Sequence, residues 1–104
     1  MNRTELLMTV RSTLQAAFGE RLRGLVLYGS EARGTAGPDS DIDLLVLLDG
    51  PVDLGRDLWT AIESLYDLSA EIGRRISAKP VDAVEYESIE CPLYRVAHRE
   101  GVAV

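Results

Sequence analysis

The segment from Ile42 to Leu48 constrains the fold more strongly than any other part of the sequence. Asp43 is its only polar residue, and Gly50 with Pro51 closes it. A run this short and this apolar is typical of a strand that is covered on both faces. Such a strand needs helices on either side of its sheet. We therefore expect an α/β (α+β) fold in which a small mixed sheet packs against helices.

The helical spacing of apolar residues predicts two long helices around this strand. The first follows a cap at Thr4 and ends at Gly19. The second begins at Asp53 and ends before Lys79 and Pro80. We expect this second helix to cover one side of the sheet with an apolar face made of Leu54, Leu58, Ile62, Leu65, Leu68 and Ile72.

Shorter segments predict the remaining elements. Leu25–Tyr28 is a brief apolar run that indicates a buried strand, and Val81–Tyr86 alternates as a third strand does. A last helix starts near Pro92 and ends at Gly101, and residues 102–104 form a short edge strand. The predicted order is helix, strand, strand, helix, strand, helix, with a helical turn and a loop between the first two strands.

Length, charge and cysteine content limit the possible functions. A chain of 104 residues predicts one domain, residues 1–104. The net charge of −6 argues against non-specific binding to nucleic acid or to an anionic membrane. The lone Cys91 excludes an internal disulfide and a CxxC-type zinc site, which fits a cytoplasmic protein. No apolar run approaches the roughly 20 residues that span a bilayer.

A glycine and a serine directly follow the first strand. Gly29 lets the backbone approach a ligand closely, and the Ser30 hydroxyl can donate a hydrogen bond to a phosphate oxygen. A helical turn after a strand also directs free N–H groups toward an anion. The pair therefore indicates a phosphate site, although a Gly-Ser turn alone is more often structural.

Two carboxylates at the start of the central strand strengthen that interpretation. Asp41 and Asp43 leave the same face about 7 Å apart, and their repulsion next to a core is costly unless a cation lies between them. Magnesium prefers such oxygen ligands and takes its other ligands from water and phosphates. The alternative is that Asp41 caps the loop and Asp43 is a solvated strand end.

Asp82 is the best candidate for a third carboxylate, which two-metal phosphoryl transfer requires. It lies early in the predicted third strand, which could pair beside the Asp41 strand and direct the carboxylate to the same edge. The alternative is a charged strand end without a catalytic role.

The runs Gly29-Ser30-Glu31-Ala32-Arg33-Gly34 and Ser40-Asp41-Ile42-Asp43-Leu44 resemble the nucleotidyltransferase superfamily motif of Gly-Ser, a spacer and Asp-x-Asp. The short length and the Ala-Arg-Gly variant resemble the minimal branch, the MNT-domain proteins, which are often antitoxins paired with HEPN-domain toxins. The resemblance covers essentially the whole chain.

This resemblance implies a polymerase-β-like nucleotidyltransferase fold, and the residues that match the family motif would form its catalytic site. Gly29 and Ser30 would bind the triphosphate, and Asp41, Asp43 and Asp82 would be the catalytic residues and the ligands of Mg²⁺. Arg33 and Ser40 also match the nucleotide-binding motif. Arg33 could instead pair with Asp39 or Glu31, and Ser40 could be a turn residue.

The resemblance also implies a donor, an acceptor and a partner. ATP would donate AMP to a tyrosine hydroxyl on a HEPN-domain toxin, in a possible homo- or hetero-oligomer. Two other functions stay open. One is a non-catalytic antitoxin that neutralises its partner by occlusion, against which the set of three carboxylates argues. The other is nucleotidyl transfer to a small molecule, although the chain lacks the additional helical domain usual there.

Several other residues are more consistent with structural roles. His98 lies near the end of the last helix, where positive charge interacts favourably with the helix dipole. Trp59 and Tyr66 are expected in the core or in a partner contact, and Arg74 with Arg75 at an exposed helix end.

Overall fold

The computed structural model describes residues 1–88 and 91–104. The helices are α1 (Arg3–Phe18), α2 (Gly29–Arg33), α3 (Leu54–Ile72), α4 (Ala83–Ser88) and α5 (Pro92–Glu100), and the strands are β1 (Leu22–Tyr28), β2 (Ile42–Leu48), β3 (Ile76–Asp82) and β4 (Val102–Ala103). A 3₁₀ turn, Gly19–Arg21, joins α1 to β1. No helix in this part of the chain is both long and apolar enough to cross a bilayer.

The four strands form one mixed sheet in the order β3-β2-β1-β4. β1 runs antiparallel to β2 and β4, whereas β2 and β3 run parallel. The end of β1 and the starts of β2 and β3 therefore meet at one edge of the sheet, the edge formed by strand ends and not by the side of an outer strand. At that edge Asp43 lies between Tyr28 of β1 and Ser77 of β3.

Helices cover both faces of the sheet, as the apolar central strand requires. On one face Leu14 of α1 and Leu65 of α3 pack against the even-numbered β2 residues such as Leu44. On the other face Tyr86 of α4 and Ala97 of α5 pack with Leu45. This arrangement confirms the predicted α/β class with a small mixed sheet and helices around it.

The predicted boundaries between residues 72 and 88 are wrong, whereas the last helix from Pro92 and the short strand after Gly101 are confirmed. The long helix ends at Ile72, because Gly73 adopts a left-handed conformation (φ +68°) as its C-cap and not because of Pro80. The third strand therefore starts at Ile76 instead of Val81. The segment after Asp82, expected to be strand, forms α4.

The apolar face predicted for α3 is only partly covered by the sheet. Leu65 and Leu68 are buried, but Leu54, Leu58 and Ile62 are 58%, 36% and 46% exposed. The residue that replaces them in the core is Ala61. The helix therefore presents an apolar strip to the outside of the domain.

One buried ion pair connects α3 to the turn before β1. Asp57 is 2% exposed and accepts two hydrogen bonds from the Arg21 guanidinium, both of 2.9 Å. Its Oδ2 also accepts a hydrogen bond of 3.1 Å from the Asp53 amide. The bonds from Arg21 and the Asp53 amide hold the pKa of Asp57 below its usual value against the effect of burial.

Candidate active site

The predicted phosphate turn and the predicted metal carboxylate lie against each other. β1 delivers Gly29 and Ser30 into α2, and Gly29 has a φ of +73°. A Cβ atom built on Gly29 would lie 2.5 Å from Oδ2 of Asp43. Glycine is required here by its backbone conformation and by the carboxylate next to it.

Replacing Gly29 by alanine tests this contact. We expect Gly29→Ala to cost about 1–2 kcal/mol of folding free energy for the left-handed backbone. We also expect a loss of affinity for Mg·ATP, because Asp43 must move away from the new methyl group. Calorimetric titration with Mg·ATP and denaturant unfolding measure the two effects.

Gly34 provides a matched control for this substitution. It has a φ of +74°, but nothing lies within 4 Å of a Cβ at this position. Gly34→Ala should therefore lose similar folding free energy and keep its nucleotide affinity. Equal affinity losses in both variants would show that backbone strain, not contact with Asp43, is responsible.

Asp43 is half-buried, and its surroundings disfavour its ionised form. Burial raises the pKa of its carboxyl group, the charge of Asp41 raises it further, and Arg33 and Arg75 oppose the shift. Burial and the nearby Asp43 carboxylate likewise raise the pKa of Tyr28, its partner across the sheet. The edge thus concentrates negative charge that a cation would offset.

The residues at this edge fit one divalent cation of the magnesium type. Asp41 is exposed and Asp43 is half-buried, so both carboxylates can be reached from solvent. Their oxygen atoms are the ligand type that Mg²⁺ prefers, and phosphates and water complete its coordination. After burial, the charge of Asp41 contributes to the raised pKa of Asp43, as expected where two carboxylates lie close together.

Asp82 does not reach this edge, so its predicted role as third metal ligand is wrong. It pairs with Leu48, whereas Asp43 pairs with Ser77, a separation of roughly 16 Å along the strands. Strand alternation also directs Asp82 to the opposite face of the sheet from Asp43. Its Oδ1 accepts a hydrogen bond of 2.8 Å from the Val84 amide and caps α4. Because α3 ends at Ile72, β3 starts at Ile76 and Asp82 is its last residue, whereas the sequence predicted Asp82 near the start of the strand.

Ser77 occupies the β3 position beside Asp43 in place of a carboxylate. Within residues 1–88 and 91–104, no three His, Cys, Asp or Glu side chains are grouped to hold a metal ion. The site of this chain therefore rests on two carboxylates. Ser77 escaped prediction because its position depends on the strand register, which the misplaced start of β3 concealed.

Arg33 and Ser40 flank the site in different ways. Arg33 makes an ion pair of 3.5 Å with Glu100 and not with Asp39 or Glu31, and its side chain stays 48% exposed. Its guanidinium also acts on the pKa of Asp43, so it lies within electrostatic reach of the site. The Ser40 hydroxyl accepts a hydrogen bond of 2.9 Å from the Gly37 amide, which is the role of a turn residue.

Arg74 connects the parts of the site, a role that sequence reasoning missed. Its guanidinium makes an ion pair of 2.8 Å with Glu31 of α2 and donates a hydrogen bond of 3.0 Å to the Ser40 carbonyl oxygen. The Arg74 and Glu31 side chains are only 17% and 14% exposed, so Arg74 is not the exposed helix end that was expected. One side chain thus fixes α2 relative to the loop that precedes Asp41. No local pattern in the sequence points to this pair, because Arg74 and Glu31 lie 43 positions apart.

We expect Arg74→Ala to lower the free energy of unfolding by about 1–3 kcal/mol, because Glu31 loses a charged partner while largely buried. The affinity for Mg·ATP should fall with it, since α2 and the Asp41 loop are no longer held together. Arg99→Ala is the control, because the Arg99–Glu100 pair is exposed and should contribute little. Chemical unfolding and calorimetry measure both quantities. If Arg74→Ala bound Mg·ATP as tightly as wild type does, Arg74 would not be needed to hold α2 against the loop before Asp41.

Comparisons with known proteins identify the family of this chain. The family profile described as "Nucleotidyltransferase domain" matches residues 7–104. A comparison with curated proteins found no match.

Several solved structures share the fold. A chain of a toxin-antitoxin with AMP-PNP is similar over 98% of this chain and 72% of that chain, with a TM-score of 0.66 and 19% identity. A variant of the toxin-antitoxin MntA-HpeT is similar over 100% and 72%, with a TM-score of 0.64 and 20% identity. A structure described as a minimal nucleotidyltransferase is similar over 100% and 97%, with a TM-score of 0.57 and 27% identity.

The profile match spans almost the whole chain, and the fold brings its Gly29–Ser30 turn against Asp43 at one sheet edge. This chain therefore belongs to the nucleotidyltransferase domain family and is a nucleotidyltransferase.

Proposed function

We propose that this protein uses Mg²⁺ to transfer AMP from ATP to a tyrosine hydroxyl of a HEPN-domain toxin, and that it acts as the antitoxin of that partner. Residues 1–104 act as a single domain in this proposal, and the reaction takes place in the cytoplasm. Asp41 and Asp43 are the proposed catalytic and metal-binding residues. Gly29, Ser30 and Arg33 bind the triphosphate.

The observation that carries this proposal is the contact between the Gly29 turn and Asp43. A Cβ on Gly29 would lie 2.5 Å from Oδ2 of Asp43, so the turn and the carboxylate are in direct contact. A phosphate held by the turn and a cation held by the carboxylates would therefore be immediate neighbours. This arrangement suits a nucleoside triphosphate bound with its magnesium ion.

The residues of the chain have distinct tasks in the proposed reaction. Asp41 and Asp43 would hold Mg²⁺, which supplies positive charge against the charge of the triphosphate. The Ser30 hydroxyl and the N–H groups of the turn would orient the phosphates. The acceptor oxygen forms a bond to the α-phosphorus, the bond to pyrophosphate breaks, pyrophosphate leaves with the electron pair, and the acceptor proton passes to solvent.

The two-carboxylate site supports a phenol as the acceptor. Without Asp82, no third carboxylate of the described residues stands ready to remove the acceptor proton. A tyrosine hydroxyl has a pKa of about 10 and releases its proton far more readily than an aliphatic alcohol does. A tyrosine acceptor therefore makes the smallest demand on the missing base.

The antitoxin role is supported by the kind of proteins that share this fold. Three of the similar structures are toxin-antitoxin structures, one of them with AMP-PNP. The net charge of −6 also disfavours nucleic acid as the acceptor. A protein partner agrees with both observations.

For the antitoxin role, occlusion of the toxin independent of nucleotidyl transfer is the second candidate. The displaced Asp82 favours it, because the three-carboxylate set that argued against it is not assembled at the site. In this case the protein would bind its partner tightly and leave the mass of the partner unchanged.

Intact-mass spectrometry of the partner distinguishes the two functions. The protein is incubated with ATP, Mg²⁺ and a co-encoded HEPN-domain protein, and we expect the partner to gain one AMP. Asp41→Asn and a sample without Mg²⁺ should show no gain. Neutralisation of the toxin by wild type and Asp41→Asn alike, with no change of mass, would favour occlusion and contradict transfer.

A further inference from the structure

A groove on the outside of the domain lies along the open edge of the sheet that β3 forms. It has a volume of about 620 Å³ and lies between α3 and β3. One wall is the apolar strip of α3, made of Leu54, Leu58, Ile62 and Tyr66. The other wall is β3, including Ser77, which lies beside Asp43. We name this feature the α3–β3 groove.

β3 offers free backbone groups to this groove. It is an edge strand, with β2 as its neighbour in the described part of the chain. The Ile42 amide donates to the Arg75 carbonyl oxygen, so by alternation residues 75, 77, 79 and 81 face β2. The backbone groups of Ile76 and Ala78 therefore point outward. Pro80 has no N–H group, so pairing along this edge stops after two residues.

The charge of the groove is opposite to that of the protein. Among its described lining residues only Arg75 and Lys79 are charged, and both are exposed. The whole chain carries a net charge of −6. By strand alternation the side chains of Ser77 and Lys79 share a sheet face with Asp43, opposite to the face that α3 covers. A strand paired along β3 would therefore point alternate side chains to α3 and to the Asp43 face. A ligand of this groove would thus combine apolar and acidic groups and reach the active site.

We propose that the α3–β3 groove binds the acceptor segment of the partner protein as an extended, acidic and apolar stretch of polypeptide. This inference rests on the proposed function, since it names where the acceptor of that reaction is held. The segment pairs with Ile76 and Ala78, buries apolar side chains against Ile62 and Leu58, and places acidic side chains near Arg75 and Lys79. Its hydroxyl-bearing residue passes Ser77 toward Asp43.

A peptide titration followed by NMR tests the groove without a catalytic step. The probe is the synthetic peptide Glu-Val-Tyr-Val-Glu with blocked ends, added to the ¹⁵N-labelled full chain. We expect shifts of the Ile76 and Ala78 amides, and at least about tenfold weaker binding of the matched peptide Lys-Val-Tyr-Val-Lys. Equal binding of both peptides, or shifts confined to other surfaces, would overturn the proposal.

Two variants of α3 sharpen the test. Ile62 lines the groove, whereas Trp59 is 64% exposed on the same helix and does not line it. Ile62→Glu should abolish peptide binding, and Trp59→Glu should leave it unchanged. Equal effects of the two substitutions contradict a specific groove. A dimer in sedimentation that Ile62→Glu converts to monomer would instead assign the groove to a second copy of this chain.

Asp43→Asn separates this inference from the proposed function. It should bind the peptide as wild type does, because Asp43 does not line the groove. If wild type binds the peptide in the groove but adds no AMP to peptide or partner, transfer fails and the docking surface stands. If Ile62→Glu modifies the partner as fast as wild type, the docking surface fails and transfer stands.

Discussion

Asp43→Asn should lower the rate of AMP transfer to the partner about a hundredfold to a thousandfold. The amide keeps the shape of the side chain but removes the charge that holds the cation beside the Gly29 turn. The rate is measured by intact-mass spectrometry over time at saturating Mg·ATP, and a separate titration reports nucleotide affinity. We expect this affinity to fall as well, because the cation and the triphosphate bind together.

Asp82→Asn is the matched control, since it makes the same chemical change at the far end of β3. It should leave the transfer rate unchanged, because Asp82 lies beside Leu48 and serves as a cap of α4. It should cost about 1 kcal/mol of stability or less, since asparagine is also a good cap. A loss of transfer in Asp82→Asn as large as that in Asp43→Asn would contradict the observed strand register.

Asp57→Ala should produce a large loss of stability. It removes two hydrogen bonds from Arg21 and one from the Asp53 amide at a site that is 2% exposed. Because the Arg21 side chain is 41% exposed and can turn to water, we expect a loss of about 2–3 kcal/mol, at the low end for a broken buried pair. Urea unfolding at pH 7 measures it.

The same pair predicts how stability depends on acidity. The pKa of Asp57 is lower in the folded protein than the usual value of about 3.9, so its contribution is fully present above that value. It is lost as the pH falls through the lower pKa of the folded state. Between pH 5 and pH 2 the free energy of unfolding should therefore fall more for wild type than for Asp57→Ala. Urea unfolding at several pH values measures this difference. Parallel pH profiles of the two proteins would contradict this role.

The sequence was sufficient to predict the local geometry of the candidate site. β2 was predicted with its observed bounds, because its apolar run ends at clear turn residues. The Gly29–Ser30 turn and the Asp41–Asp43 pair follow from short motifs whose geometry depends on neighbouring residues only. Gly29 at the start of α2 contacts Asp43 of β2 from 14 positions away, yet the motif predicted their proximity because it implies a triphosphate and a cation bound together.

The parts that failed depend on longer range. Gly73 ends α3 early, so β3 starts at Ile76 and not at Val81. Asp82 therefore lies at the end of β3, away from Asp43, and not at its start as predicted. The ion pair between Arg74 and Glu31 joins positions far apart in sequence, so no spacing pattern reveals it. The apolar residues of α3 fit a helix face equally well whether a sheet or a partner covers them.

Arg74 has a consequence for how partner and nucleotide affect each other. It follows α3 directly, close to Arg75 in the wall of the groove, and holds Glu31 next to the Gly29 turn. Any ligand that changes the position of this chain segment also changes the position of α2. Such coupling is thermodynamically reciprocal. We therefore expect ATP to alter the affinity for the partner by the same factor by which the partner alters the affinity for ATP.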